Sequence, residues 1–571
     1  MTSHILRSRS IAALLGTLAL VVLAGCTETN TEYVERPQFN PPPDSVNGFM
    51  GYYDASTKQT TCGNCHVSYQ GTWVDSKHAD AYAALGGSAT SSPSYCYGCH
   101  TVSGIGNSVA VGPDSADAGY TYTPSTAYHD VQCESCHGPG YEHVSSPSTT
   151  NHPYARAGVY GMKGTEKDTS ASCGGCHTGI HAPFVEQWAQ TGHADSAANA
   201  SPAWDAANSK PGCGASCHEG RTALARFNGE PSHYVEKDSV GQTTTLPPAT
   251  CAVCHDPHGS PYEGQLRAPI DVPDLTLNLC MSCHNRSTTP SGSFTASTAT
   301  TTSRGSHSAQ GPVLLGEGAG YIPAGFIFDT TAAYTTHNSS RNPRLCAGCH
   351  VKAFTVTDAE TGDFQFESVG HLFSPDPCLD ANGIPTADNT CAYLPSSTRN
   401  WSSCVAGGCH NSADVAASAL SNERTTVQNL VNQLWNDVNP TLNNSGEPYM
   451  DTGDTGDLVY LKFDAGNPTV GGTQAFNGTD AKVSPAEGAL YNALMLAENL
   501  YGHNDGSYGV HNPFFYEALL AASIAEVQSV YAAYLPAGPS PAVKALMDKA
   551  LSRPGVRYAP RAGQIKISAA R

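Results

Sequence analysis

The sequence predicts a mostly irregular and helical chain with little β-structure, wrapped around something other than its own side chains and closed by a helical C-terminal domain. Three observations lead there. Gly (56) and Pro (38) are abundant in a chain of 571 residues, and helix or strand periodicity is scarce before about residue 410. Over that same stretch the pattern Cys-x-x-Cys-His returns again and again. Beyond residue 410 apolar side chains recur at helical spacing.

The N-terminus comes first. Arg7 and Arg9 precede an apolar run from Ile11 to Leu23, too short for a membrane span, so residues 1–25 read as a secretory signal. The run ends in Leu23-Ala24-Gly25-Cys26, which resembles a bacterial lipobox and implies cleavage before Cys26 and lipidation of its thiol. Thr27 behind it resembles an outer-membrane sorting signal. Residues 26–60, with ERPQFNPPPDS, read as a Pro-rich tether. No later segment is apolar long enough to span a bilayer. The expected location is therefore outside the cytoplasm, lipid-anchored at the outer membrane on its periplasmic face or at the cell surface. Loss of residues 1–25 removes two arginines and no acids, so the formal charge moves from −20 to −22. That balance argues against a nucleic-acid partner.

Twenty-one cysteines in an exported protein would ordinarily mean disulfides, but their spacing says otherwise. Seven regular motifs are present: Cys62/Cys65/His66, Cys96/Cys99/His100, Cys133/Cys136/His137, Cys173/Cys176/His177, Cys251/Cys254/His255, Cys280/Cys283/His284 and Cys346/Cys349/His350. Two thiols at this spacing reach two vinyl groups of one porphyrin, and the next side chain turns under the ring to ligate iron. Zinc sites also use Cys-x-x-Cys, but they do not require the histidine that follows in all seven.

On these motifs the chain resembles the multihaem c-type cytochromes over about residues 60–410, and the resemblance implies covalently bound haem c with the seven motif histidines as proximal ligands. Cys213-Gly-Ala-Ser-Cys217-His218 carries one extra residue, a widening known in that family. Cys404-Val-Ala-Gly-Gly-Cys409-His410 carries two, with glycines that supply the freedom a bulge needs. Two disulfides among Cys378, Cys391, Cys404 and Cys409 would use the remaining thiols equally well. They would leave unexplained why His410 follows Cys409 directly. The preferred count is nine haems, with His410 proximal to the ninth and Cys378 paired to Cys391.

Electron-transfer haems usually close their second face with another ligand, and thirteen further histidines are available for nine sites. TWVDSKHADAYAAL around His78 and QWAQTGHADSAANA around His193 are near-copies of one another. They resemble segments that carry distal ligands in related cytochromes. YHDVQCESCHGPGYEH brackets one motif with His129 and His143, similar to tetrahaem carriers of nitrifying bacteria. In CAVCHDPHGS, His258 is too near its own motif and resembles a ligand for a neighbouring haem. His233, His307, His337 and His371 complete the candidates upstream of residue 410. His152, His181 and His503 read as surface side chains.

Residues 61–290 hold seven sites, 291–345 read as a haem-free Ser/Thr-rich connection, and 346–410 hold two more. The helical domain, 411–571, is predicted from Val427, Leu430, Val431, Leu434 and Val438, from the capping box Ser484-Pro485-Ala486-Glu487 opening a run to Tyr501, and from starts at Asn512-Pro513 and Ser540-Pro541. His511 sits just before one of these starts. It resembles the ligand-bearing helix start of the nitrite reductase and hydroxylamine oxidoreductase group, which implies a distal ligand. DTGDTGD, Asp451 to Asp457, could chelate calcium but lacks the glycine-plus-glutamate frame of an EF-hand, and a solvated acidic turn is the preferred reading.

The expected function is an electron conduit of nine mostly bis-histidine haems, with redox proteins of the periplasm or outer membrane, or a metal or mineral acceptor, as partners. The alternative is a reductase or oxidase of small nitrogen or sulfur compounds with one open-faced haem. The Cys-x-x-Cys-Lys motif of cytochrome c nitrite reductase is absent. Self-assembly into a filament, as in cytochromes of metal-reducing bacteria, is a third expectation.

Overall fold

The computed structural model divides into a short N-terminal unit, residues 1–43, and a body, residues 44–571. It describes residues 48–86, 94–105, 119–148, 151, 153, 173–195, 215–218, 220–228, 248–285, 308–332, 337–438, 449–451, 457–459, 485–496, 505–530 and 538–560. Cys26, Cys213, His233, His307 and Ser484 lie outside the described residues. No described helix is long and apolar enough to cross a membrane.

The described attachment motifs fold as about one turn of helix or tight turn, as in Cys133–His137 and Cys346–His350. In four of them the histidine N–H returns to the carbonyl of the first cysteine: His66 to Cys62 at 3.0 Å, His177 to Cys173 at 2.8 Å, His255 to Cys251 at 2.9 Å and His284 to Cys280 at 3.1 Å. That bond fixes two cysteines and a histidine on one side of a single turn. Between the motifs, apolar packing is confined to small clusters such as Tyr52–Trp73–Ala79 and Val185–Trp188–Ala194. β-Structure among the described residues amounts to four two-stranded ribbons.

The fold differs from the sequence reading at both ends of the haem-bearing region. Phe49, Met50 and Tyr52 are buried, Phe49 packs with Val102, Tyr120 and Tyr128, and Tyr52–Asp54 pairs with Gln59–Thr60. The expected tether therefore gives way to folded chain by residue 48, because the apolar and aromatic side chains of Phe49, Met50 and Tyr52 follow the prolines and are buried. The second difference is the span read as a connection. Its helix Gln310–Leu315 and strand Phe326–Phe328 are built into the helical core, the strand pairing antiparallel with Val556–Tyr558. Asn492 clamps it there, accepting from Tyr321 N–H at 2.7 Å and donating to Tyr321 O at 2.8 Å.

The C-terminal core consists of helices Ala413–Val438, Pro485–Leu496, Pro513–Val530 and Pro541–Leu551. The helix Pro513–Val530 contacts the other three. It is buried nearly all round, as a central helix must be, with Leu519, Leu520 and Ile524 fully buried and Glu517, Ser523 and Glu526 enclosed among them. Burial of each such side chain stabilises by about 1.5–3 kcal/mol. On the long helix the heptad-like set Val427, Leu430, Val431 and Leu434 is buried. Ser540 caps the last helix by accepting from Val543 N–H at 3.3 Å. Asp451 and Asp457 are paired in register on a two-stranded ribbon, and the residues between them are not described.

Between the last two motifs, Cys378 and Cys391 form a disulfide. Arg399 lies buried beneath it, donating to Asp376 Oδ2 at 3.1 Å, Asn389 O at 2.8 Å and Cys391 O at 2.7 Å. These bonds satisfy both terminal nitrogens of a guanidinium that would otherwise be costly to bury, and leave its Nε without a partner.

Candidate metal centres

Six motif histidines each face a histidine from elsewhere in the chain. Ring centres are 6.3 Å apart for His66–His143, 6.2 Å for His177–His78, 6.4 Å for His137–His258, 6.1 Å for His255–His371, 6.2 Å for His284–His193 and 6.0 Å for His350–His511. Two imidazoles bound to one metal through bonds of about 2 Å place their ring centres about 6 Å apart. The residues therefore fit a bis-imidazole iron, with attachment cysteines beside one ligand of each pair.

Five of the six distal histidines, all but His143, are delivered by identifiable local structure. In the two near-copied segments, Trp73 donates its indole N–H to Val131 O at 3.0 Å and Trp188 donates to Ala249 O at 3.0 Å. Each accepting carbonyl stands two residues ahead of an attachment cysteine, Cys133 or Cys251. The backbone then turns the same way, Ser76 N–H to Trp73 O at 2.8 Å and Thr191 N–H to Trp188 O at 3.0 Å. The indole thus sets the distance from one motif at which His78 or His193 is presented to another.

His258 reaches His137, not its own motif, by a different device. Gly259 has φ +103, and a Cβ there would lie 2.3 Å from Thr72 O. Only glycine lets that loop dock on the helix Val67–Trp73. His371 is placed by its backbone N–H donating to Gln187 Oε1 at 2.9 Å. For His511, Asn512 caps the helix Pro513–Val530 through Phe515 N–H at 3.2 Å and donates to Leu314 O at 3.3 Å. The segment expected to be a connection is thus part of what holds His511.

The electrostatics suit metal ligation. Burial pushes His177, His193, His350 and His371 down to about 4, so each ring is neutral at pH 7 and keeps its lone pair. Backbone carbonyls fix the tautomer: Nδ1–H of His100 donates to Ala81 O at 2.7 Å, His255 to Gly264 O at 2.6 Å, His350 to Phe373 O at 2.8 Å and His371 to Val369 O at 3.1 Å. That leaves Nε2 for the metal.

The other candidates stand differently. His129 lies flat against Tyr82, ring centres 3.6 Å apart, with Tyr120 at 5.6 Å, and faces no motif histidine among the described residues. Its nearness in sequence to Cys133 does not bring it opposite His137, which faces His258. His337 hydrogen-bonds Val510 O and lies within electrostatic reach of His410. His181 stacks on Phe364.

At the widened Cys404 motif, Gly407 and Gly408 have φ +65 and +73. These left-handed turns absorb the two extra residues, and His410 N–H still returns to Cys404 O at 3.2 Å. The local bond of the regular motifs is preserved.

Cys65 departs from what its place in a regular motif leads one to expect. Thiols that hold a large apolar cofactor should be at least partly enclosed by the chain, as Cys62 and most of the other described attachment cysteines are, whereas Cys65 is exposed. The cause is local. The turn Cys62–Asn64 leads directly into the outer end of the helix Val67–Trp73, where His66, Val67 and Tyr69 are also exposed and only Trp73 is buried. Cys65 therefore carries the motif spacing and the neighbouring His66-to-Cys62 bond, and lies at the protein surface. Cys409 is exposed for a comparable reason, since the Gly407–Gly408 bulge before it projects to the surface.

Thiols of different motifs, standing for the thioether sulfurs, are neighbours. Cys62 lies against Cys133, Cys99 against Cys176, Cys251 against Cys173, Cys283 against Cys217 and Cys346 against Cys280. Sequence reasoning missed Phe373 altogether. Its ring meets His193 at 4.6 Å and His371 at 5.5 Å while its carbonyl holds His350. It joins the ligand sets of three sites, and nothing local in the sequence marks it.

Two family descriptions match parts of the chain: "Doubled CXXCH motif" at residues 248–289 and "Cytochrome c554 and c-prime" at residues 61–138. A crystal structure titled Outer Cell Wall Cytochrome OcwA is similar at 18% identity and a TM-score of 0.36, covering 76% of each chain. No curated protein matches at a significant level. Seven regular attachment motifs, opposed histidine pairs beside them and the two family matches support a multihaem c-type cytochrome and indicate covalently bound haem c.

Proposed function

We propose that the chain is a nine-haem electron conduit, lipid-anchored through Cys26 at the outer membrane. It exchanges electrons with redox proteins and passes them to a further protein or a metal or mineral acceptor. The observation that carries this reading is the set of six histidine pairs at 6.0–6.4 Å. A metal closed on both faces exchanges electrons and offers no coordination position to a substrate. Bound haem supplies a reversible one-electron iron couple. The chain's residues ligate both faces, hold imidazoles through Nδ1, and bring attachment sites into contact, mostly sites that are not adjacent in sequence, so that electrons can pass between them.

The ninth site is supported by the preserved His410-to-Cys404 bond and by the separate disulfide that Cys378 and Cys391 form. The acidic chain, formal charge −20 before processing, favours basic docking partners or cationic acceptors.

A second reading, a reductase or oxidase of small nitrogen or sulfur compounds, is favoured by one observation. Among the described residues no histidine stands opposite His100, and Tyr82, Tyr97, Tyr120 and His129 cluster on the segments flanking it. Protein-film voltammetry separates the two. The conduit reading expects reversible waves unchanged by nitrite or hydroxylamine, and a catalytic current with either compound would overturn it in favour of the enzyme.

A further inference from the structure

Every axial histidine needs something at Nδ1, and along this chain that partner is usually a neutral carbonyl. Two histidines meet a carboxylate instead, and His511 makes the closer approach. Its Nδ1 lies 2.6 Å from Oδ1 of Asp505, whose side chain is 1% exposed. No lysine or arginine among the described residues forms an ion pair with this carboxylate. It is held rigidly: Asp505 N–H donates to Met495 O at 3.1 Å, Gln310 Nε2 donates to Asp505 O at 3.4 Å, and Oδ2 accepts from Ser507 N–H at 3.2 Å and from the Ser507 hydroxyl. Gly509, at φ +98, permits the loop to pack directly on the long helix, where a Cβ would lie 2.6 Å from Glu423 Oε1 and 2.7 Å from Val427 Cγ2.

We propose that Asp505 makes the His350–His511 site the most reducing in the chain, by drawing the Nδ1 proton of His511 and placing an uncompensated negative charge beside that ligand. This rests on the electron-transfer reading and on His511 as the axial partner of His350. A carboxylate acceptor raises the basicity of the far ring nitrogen, and greater donation to iron favours the ferric state. The buried charge acts in the same direction in a low dielectric. Both effects lower the potential.

One other distal histidine meets a carboxylate, and it serves as an internal comparison. His258 Nδ1 is 3.4 Å from Asp256 Oδ1, but Asp256 is neutralised by Arg267 at 2.9 Å, and the His258 and Asp256 side chains are 40% and 29% exposed. The longer bond, the counter-ion and solvent each weaken the effect. The location of the Asp505 site gives the tuning a consequence. Cys346 abuts Cys280, and Cys349 lies within electrostatic reach of Cys404. The tuned site therefore stands between its seventh and ninth neighbours, and electrons bound for the ninth meet an uphill step.

The test is a redox titration of the full-length holoprotein, followed by optical and EPR spectra, for Asp505→Asn, Asp505→Glu and Asp256→Asn. Asparagine keeps an oxygen for Nδ1 and removes the charge. The expected result is that D505N raises the lowest-potential component by at least about tenfold in its reduction equilibrium, about 59 mV for one electron, with the low-spin count unchanged. D505E restores most of the shift, and D256N moves its component by less than about threefold. A D505N titration within about threefold of wild type overturns the proposal. So does new high-spin iron in place of a shift, which would make Asp505 a support only. His511→Ala checks the underlying assignment separately: if it leaves every iron low-spin, His511 is not a ligand and the proposal falls with the pairing.

Discussion

Glu134 lies inside the third attachment motif, between Cys133 and Cys136, and is 3% exposed. Its carboxylate accepts from Met50 N–H at 2.8 Å, Gly51 N–H at 2.7 Å and Gly140 N–H at 2.8 Å. It therefore ties the first folded residues to the haem-bearing turn. Glu134→Ala leaves three buried N–H groups unpaired, at about 1–3 kcal/mol each, so the smallest loss is about 3 kcal/mol. At 1.4 kcal/mol per tenfold, hydrogen exchange at those three amides should accelerate by about 100-fold or more.

The pH dependence follows from the same site. Burial pushes Glu134 up from 4.5 to about 7, against the three N–H donors that favour its charged form. Between those values the folded chain binds the proton more tightly than the unfolded chain. Stability therefore falls as pH rises from 4.5 to 7, by an amount on the order of 3 kcal/mol. Glu134→Gln removes that dependence. Hydrogen exchange read by mass spectrometry on peptides spanning residues 48–53 and 138–142, at pH 5 and pH 8, measures both effects. Exchange in the alanine variant within a few-fold of wild type would show that Glu134 does not hold this junction.

Gly259→Ala should expel the His258 loop from Thr72 and turn one low-spin iron high-spin, seen as a new high-spin EPR signal; an unchanged spectrum would separate His258 from the His137 site. His143→Ala should do the same at the His66 site, whereas His129→Ala should leave every spin state alone because that ring stacks on Tyr82. Leu520→Ala opens a cavity in the central helix and should cost the helical domain about 2–5 kcal/mol, read as earlier thermal loss of the His511 ligand in the visible spectrum. Replacing both Cys378 and Cys391 by serine should remove about 3 kcal/mol of loop constraint and hasten proteolysis between them without changing haem content.

What was legible in the sequence was whatever the chemistry keeps local. Two thioether bonds and a proximal ligand must come from one turn of chain, so the motifs could be read off directly. The two glycines of Cys404-Val-Ala-Gly-Gly-Cys409-His410 could be read as slack for the same reason. How far the chain encloses each thiol is not local, and the spacing of the first motif gives no sign that Cys65 lies at the surface. Distal ligands are likewise chosen by the folded chain. His193 could be recognised as a copy of His78, but nothing near it points to His284. The bracketing of Cys133 by His129 and His143 looked symmetrical, and the fold uses the second histidine at His66 and stacks the first on tyrosine. The span 291–345 read as a connection because Gln310–Leu315 is too short to show a helical period, although it is buried in the C-terminal core. Asp505 and Phe373 act on sites remote in sequence, and no local pattern announces them.

The central claim is that histidines pair across motif boundaries to close the irons. EPR spin quantitation of the ferric full-length protein tests it most directly, combined with the haem count from intact mass. The account predicts nine haems, at least six of them low-spin with bis-histidine signals, and any high-spin iron confined to the sites of His100, His218 and His410. Fewer than six low-spin irons, or a high-spin signal abolished by altering one of the six paired sites, would contradict it.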